Sequence, residues 1–232
     1  MSFIKQVLAT VVGIMVFFAI MTIFFVISIV GMALSGSGKA SIDDNSVFVI
    51  ELSGQLTERA ELDPLNTFLG KGTQSLALDE VVANIKKAKQ NKDIKGIYLN
   101  CGAFSPDSYA SLEEIRRQLL DFKKSGKWIV AYGDEYTTDT YYLASTADKV
   151  LIHESGMLDW HGLSATPMFF KEALAKFGIK VTLSKVGTYK SAPETFTADG
   201  MSEANREQVT AYITGTWNNI VADISQSRGI TE

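Results

Sequence analysis

From residue 7 to residue 34 the chain carries twenty-eight consecutive uncharged residues, dominated by Ile, Val, Phe, Met and Leu. No other stretch limits the fold as strongly. A helix through all of it would reach roughly 40 Å, against the ~30 Å hydrocarbon core of a bilayer, so it spans with tilt or with frayed ends. It is too long for the roughly 7–15-residue apolar region of a simple signal peptide, and Gly38-Lys39-Ala40 is a poor small-x-small cleavage site. A retained signal anchor over residues 1–34 is therefore expected. Lys5 and the free amine lie on its N-terminal side, while Lys39 is followed by Asp43 and Asp44 on the other. The slight positive-inside preference puts the N-terminus in the cytoplasm. That predicts a single-pass protein of the inner or plasma membrane, with its domain on the periplasmic or extracytoplasmic side.

Residues 35–46 include S-G-S-G-K-A-S and read as a flexible tether, leaving 47–232 for one domain. The net charge is −4, and the basic residues are scattered among acids without interleaved aromatics. Such a surface does not track a phosphate backbone, so no nucleic-acid partner is expected. The single cysteine, Cys101, follows an apolar run and reads as a small buried hydrophobe. His153 and His161 have no Cys or carboxylate cluster at ligand spacing, so no metal is expected, and no motif calls for a cofactor.

Within the domain, strands are predicted at 47–52 (ended by Gly54), 94–100, 128–132, 149–153 and 180–186 from their β-branched and aromatic content. Residues 58–73 lack a period and read as a loop with a short helix. Helices are predicted at 76–90, at 111–124 with a Ser111/Glu114 capping box, at 138–147, at 168–177 closed by Gly178, and at 202–227. The last has Ser202 as N-cap, Val209, Ile213, Trp217, Ile220 and Ile224 at helical spacing, and Gly229 past its end. A loop with Gly102, Pro106 and Asp107 and a turn over 156–162 complete the reading. Alternating strands and helices with short connections imply an α/β domain with a largely parallel sheet.

The nucleophile arrangements thin out quickly. Gly36-Ser37-Gly38 resembles a nucleophile elbow only in letters, because it lies in the tether. Each histidine has a plainer role than membership of a triad. Walker A and G-x-G-x-x-G loops are missing. Asp134, Glu135 and Asp139 read as a solvated acidic loop. What remains is amine chemistry at Lys190, in L-S-K-V-G-T-Y-K-S-A-P-E-T-F-T-A-D-G (183–200). Taken alone it is an ordinary surface lysine. As a general base it would need burial or neighbours that destabilise its ammonium form, and a hydrogen-bond partner such as Ser191.

Several pieces occur in a shared order: I-K-G-I-Y-L-N, L-L-D-F-K-K-S-G-K-W-I-V-A-Y-G-D, Y-Y-L-A-S-T-A-D-K-V, D-W-H-G-L, V-G-T-Y-K-S-A-P-E-T-F and D-G-M-S-E-A-N-R-E. In that order they resemble the N-terminal half of the long, two-repeat form of the signal-peptide peptidase A family. The resemblance covers nearly all of 47–232. It implies a Clp-protease/crotonase-like domain of repeated β-β-α units, and a Ser/Lys dyad that degrades cleaved signal peptides at the membrane. It carries the general base onto Lys190. The nucleophilic serine belongs to a second repeat, so this chain would hold none and be inactive alone. Thr138 stands where that serine would be, in Thr138-Asp139-Thr140, and N-C-G-A-F-S-P replaces the glycine-rich turn that supplies oxyanion amides. Implied partners are a signal-peptide remnant as substrate, the membrane, a second-repeat peptidase domain, and further copies in a tetramer. Two other readings stay open: a non-catalytic, membrane-anchored assembly module of the same fold, and an acyl-CoA enzyme suggested by fold analogy alone. The anchor and the missing glycines count against the latter.

Overall fold

A computed structural model of the chain describes residues 3–35, 42–60 and 75–231. The chain divides into two units, Met1–Asp43 and Asp44–Glu232. The first consists of one helix, α1 (Phe3–Ser35), of 33 residues. Its stretch Phe3–Gly31 is long and apolar enough to cross a membrane, and none of it is buried against protein. Thr10 and Thr22 donate their hydroxyls to the carbonyls of Gln6 and Phe18, four residues back, so neither polar group is left without a partner in an apolar surround. Half of the tether expected at 35–46 (residues 36–41) falls outside the described residues, as does most of the loop expected at 58–73.

The second unit follows the strand and helix alternation. Its elements are β1 (Ser46–Thr57), β2 (Ser75–Ala77), α2 (Leu78–Gln90), β3 (Ile94–Ser105), α3 (Tyr109–Lys123), β4 (Trp128–Thr137), α4 (Thr138–Ala144), β5 (Lys149–Asp159), α5 (Lys171–Lys176), α6 (Glu194–Thr197) and α7 (Glu203–Arg228). The five strands form one wholly parallel sheet in the order β2-β1-β3-β4-β5. This is the expected α/β class.

Side chains alternate across the strands, so one row points at the helices: Ile50, Leu52 and Leu56 from β1, Ile97, Leu99 and Cys101 from β3, Ile129 and Ala131 from β4. Against it pack Val81, Ile85 and Ala88 of α2, Leu112, Ile115, Leu119 and Phe122 of α3, and Leu143 and Ala144 of α4. Burying each large side chain is worth about 1.5–3 kcal/mol, which makes this layer the source of the domain's stability. The opposite row, with Val47, Val49, Trp128 and Leu151 exposed, is left uncovered by the described residues. Parallel sheets ordinarily bury both faces, so this face is unusual.

Several strands run further than their sequence signals. β1 continues past Gly54, which adopts φ +71° at a register shift between Leu52 and Gly54 rather than ending the strand. β3 continues through Gly102 to Ser105, so the loop expected there is strand. β5 continues through Gly156, where an added Cβ would meet the Asp134 carbonyl at 2.4 Å; this glycine permits close backbone approach, and the turn expected over 156–162 is strand as far as Asp159 and irregular beyond it. The strand expected at 180–186 does not form. Its alternation is present, but no neighbouring strand among the described residues offers it a ladder.

The helix caps refine the reading in the same way. α3 is capped by Ser108, whose Oγ accepts from the Ser111 amide at 3.2 Å, and Ser111 lies inside the helix. The Glu114 side chain is engaged by Arg117 and Gln118 instead of closing a box. α4 has its own capping box between Thr137 and Thr140. Lys127 Nζ donates to the carbonyls of Ala88, Lys89 and Asn91, closing the C-terminal end of α2 with a positive charge. α5 is shorter than the helix expected at 168–177 and buries nothing, though Gly178 follows it at φ +72° as expected.

Arg116 fastens α7 to this frame. It is 2 % exposed. Its guanidinium donates to the Tyr142 carbonyl and to Ser145 Oγ (2.7 Å), to the Asp223 carbonyl (2.5 Å) and to Ser227 Oγ (2.6 Å). It also lies 4.6 Å from the Tyr142 ring centre, and Tyr142 donates to Asp223 at 2.5 Å.

Candidate functional site

Lys190 sits in an irregular turn between the unpaired segment and α6, entered through Gly187 at φ +96°, a left-handed conformation that favours glycine. Two groups on α7 hold the residue before it. Tyr189 Oη donates to Glu207 Oε2 at 2.9 Å, and Gln208 Nε2 donates to the Tyr189 carbonyl at 3.2 Å. On the other side, Glu194 lies at the start of α6 and is 5 % exposed. It accepts from Ser202 Oγ (2.6 Å), the Ser202 amide (3.1 Å) and Asn205 Nδ2 (3.0 Å), with Lys185 Nζ 3.8 Å away. Those bonds, led by the Ser202 hydroxyl, hold the Glu194 carboxyl below its ordinary value.

Between these anchors Lys190 is exposed, and its ammonium makes no hydrogen bond or ion pair among the described residues. Ser191 is half-buried; its carbonyl accepts from the Glu194 amide at 2.9 Å, but no hydrogen bond joins its hydroxyl to Lys190. The structure thus presents Lys190 on a well-anchored turn without an apolar wall of its own.

Thr138, at the position compared with a serine nucleophile, is 3 % exposed. Its hydroxyl donates to the His161 carbonyl at 3.1 Å and accepts from the His161 amide at 3.3 Å. Both ends of the hydroxyl are occupied in tying α4 to the strand-exit segment, an arrangement suited to structure rather than attack. The His161 ring faces Asp159 (3.7 Å) and the Gly162 carbonyl (3.1 Å), and His153 Nδ1 accepts from the Ser155 amide; neither ring meets a hydroxyl. Asp139 is half-buried, and burial raises its carboxyl above the ordinary value, with nearby Tyr109 and His161 acting in the opposite sense. Asp134 and Glu135 are exposed, as expected, although they belong to β4 and Asp134 accepts from Tyr132 Oη at 2.6 Å. Among the described residues no group of three His, Cys, Asp or Glu could hold a metal ion.

The Cys101 thiol is buried among apolar side chains, and burial pushes it up to about 12, a nearby Tyr136 hydroxyl offsetting only part. It is the inert buried hydrophobe the sequence predicts. A cleft of about 670 Å³ opens at the carboxyl ends of β1, β3 and β4, lined by Asn100, Gly102, Phe104, Tyr132 and Glu135 among others, but not by Lys190. Here the residues replacing a glycine-rich turn pair with β1, Cys101 with Leu52 and Phe104 with Gly54, so they are strand rather than an open amide cradle.

Sequence reasoning missed two features. One is Glu194, which reads as an ordinary carboxylate after a proline; only the Ser-x-x-Asn spacing at 202–205 hinted at two donors facing one acceptor. The other is an aromatic pocket of about 440 Å³ lined by Tyr141, Leu158, Trp160, Trp217 and Ile224, with ring centres 5.8 Å apart for Tyr141–Trp160 and 5.3 Å for Trp160–Trp217.

Comparison with known proteins locates relatives of this arrangement. Residues 121–232 match Peptidase family S49. The chain is 29 % identical over 214 residues to "Protease 4" of Haemophilus influenzae and 31 % over 219 residues to "Protease 4" of Salmonella typhi. Each alignment covers 90 % of this chain and 35 % of the relative. It is 30 % identical over 184 residues to "Serine protease SPPA, chloroplastic" of Arabidopsis thaliana, covering 79 % of this chain and 26 % of that protein. The chain thus spans about a third of the length of the curated relatives it matches.

Proposed function

Because the chain belongs to peptidase family S49, the signal-peptide peptidase A family, with its Clp-protease/crotonase-like α/β fold, we propose that it is the base-bearing part of a membrane-anchored serine endopeptidase that degrades cleaved signal peptides. Lys190 is the general base. The nucleophilic serine comes from a second repeat of a longer protein. In its neutral form, Lys190 Nζ accepts the proton of that serine's Oγ as the oxygen attacks the scissile carbonyl carbon. The proton then passes to the leaving amine as the C–N bond breaks, and water repeats the sequence to release the acid and regenerate the serine. A second domain covering the turn would supply the apolar wall that Lys190 lacks among the described residues. The catalytic unit therefore assembles between domains, and between copies in a tetramer. α1 (Phe3–Ser35) anchors the assembly in the inner or plasma membrane, Lys5 holding the N-terminus in the cytoplasm and the domain standing outside it.

The observation that carries this reading is the Thr188-Tyr189-Lys190-Ser191 turn, fixed to α7 on both sides while leaving its lysine free of partners within the described chain. The test is the full-length protein with Lys190→Ala, assayed on a signal-peptide-like substrate in detergent. Loss of turnover with retained fold is expected, and the 232-residue chain alone is expected to be inactive until mixed with a serine-bearing repeat. A non-catalytic assembly module of the same fold is the alternative, favoured by the exposure of Lys190 and by the uncovered sheet face. Wild-type turnover in the Lys190→Ala protein would select it.

A further inference from the structure

The Lys190 turn raises a question the dyad does not answer: what keeps an irregular segment, lacking a core of its own, in one geometry? Around it, Val186 is 86 % exposed and Phe177 82 %, so apolar burial does not. The one nearly buried polar side chain in the region is Glu194, four residues beyond Lys190. All its hydrogen-bond donors come from the start of α7, and two of its three bonds engage Ser202, whose Oγ also accepts from the Asn205 amide at 3.2 Å as the N-cap of that helix. The carboxylate therefore joins the first turn of α7 to the first turn of α6. Between Lys190 and Glu194 the chain is braced again, by Glu194 N–H to Ser191 O at 2.9 Å and Phe196 N–H to Pro193 O at 3.0 Å. Among the described residues the cation close to the carboxylate, Lys185 at 3.8 Å, lies on the unpaired segment that enters the same turn, so Glu194 touches the segment at both ends.

The geometry points to Glu194 as the positioning residue for Lys190: it fixes the lysine-bearing turn to α7, so that the amine is held where a serine can reach it. This rests on Lys190 being the general base. Glu194 itself touches neither substrate nor serine. It acts through hydrogen-bond geometry rather than charge, because each of its contacts except the long one to Lys185 survives when one oxygen becomes an amide nitrogen donating to Ser202 Oγ.

The test compares Glu194→Ala, Glu194→Gln, Asn205→Ala and Lys190→Ala in the full-length protein, measuring kcat and KM on a signal-peptide-like substrate. With Glu194→Ala, kcat per folded molecule falls about 100-fold, the order expected for an ångström-scale misplacement of a catalytic group, while KM stays within about twofold. Glu194→Gln restores kcat to within about threefold of wild type, and Asn205→Ala, which removes one donor, lowers it about threefold to tenfold. A merely structural Glu194 would reduce the folded fraction and leave kcat per folded molecule unchanged, and that result overturns the proposal. Wild-type kcat in Glu194→Ala, with Lys190→Ala inactive, overturns it while leaving the base assignment standing. An active Lys190→Ala protein removes the base assignment and this proposal together. If Glu194→Ala does not fold, Asn205→Ala decides: unchanged kcat overturns the proposal.

Discussion

Two stretches of the domain are held together by different physics. From β1 to α4, order comes from burial: Leu52, Leu99, Leu119 and Phe122 are fully enclosed, and each strand's inward row meets a helix. From the end of β5 to α6, Met168, Phe177, Ile179 and Val186 stand in solvent, and order comes from a few polar bonds. These are Glu194 to Ser202 and Asn205, Tyr189 to Glu207, Lys171 to Asp199 at 2.5 Å, and the Phe170 amide to the Thr195 carbonyl at 2.7 Å. The difference teaches where sensitivity lies. A segment with little buried area opens at low free-energy cost, so it can accommodate a partner surface that a close-packed layer could not.

That contrast is broken most directly by Lys190→Ala. Turnover of the full-length protein is expected to fall about 10²- to 10⁴-fold, with the thermal midpoint unchanged, since the side chain packs on nothing; a lowered midpoint would mean the turn contributes to the core. The converse experiment is Phe122→Ala, expected to destabilise the domain by about 3–5 kcal/mol through its transfer and cavity costs, measured by urea denaturation. A loss below about 1 kcal/mol would show that the burial-held half is loosely packed. Ser108→Ala removes the cap of α3 and is expected to cost about 1 kcal/mol, with Ser111→Ala costing less, in the same assay. The smallest effect concerns Asp148. Burial acts to raise its carboxyl, but the Lys123 hydrogen bond and the Ile129 amide at 2.8 Å outweigh it and hold the group below its ordinary value. A depressed carboxyl contributes stability above its unfolded value of about 3.9 and loses it as pH falls through the folded value. Asp148→Asn should therefore narrow the difference in unfolding free energy between pH 6 and pH 3, measured by urea denaturation, by less than about 1 kcal/mol because the pair is part-exposed.

The burial-held half was largely legible in the sequence because its signals are local and repeated. α7, outside that half, showed its Ser202 cap and its Gly229 terminator, which adopts φ +64°, although of its spaced apolar residues only Ile220 and Ile224 are buried. The strand ends were less legible: Gly54, Gly102 and Gly156 read as stops, whereas hydrogen bonds from neighbouring strands carry the ladder through them. The 180–186 segment failed for the complementary reason, an alternation without a neighbour to pair with. Lys190 became visible as a candidate only through the order of motifs around it, since an exposed lysine has no local signature. Glu194 was hidden because its donors lie eight and eleven residues away, across a turn that pattern alone does not close.

Arg116 carries a consequence for how the chain is made. Its guanidinium is buried among α3 and α4, yet two of its acceptors, the Asp223 carbonyl and Ser227 Oγ, lie 107 and 111 residues further along. A buried cation deprived of partners costs about 3–5 kcal/mol, comparable to a large share of a domain's net stability. As the polypeptide leaves the ribosome, the sheet and its first helices emerge early but cannot close over Arg116 until α7 has followed. Final compaction is thereby deferred to the last turn of α7, and a polypeptide cut short before Ser227 remains open to quality-control proteases however well its earlier strands have paired.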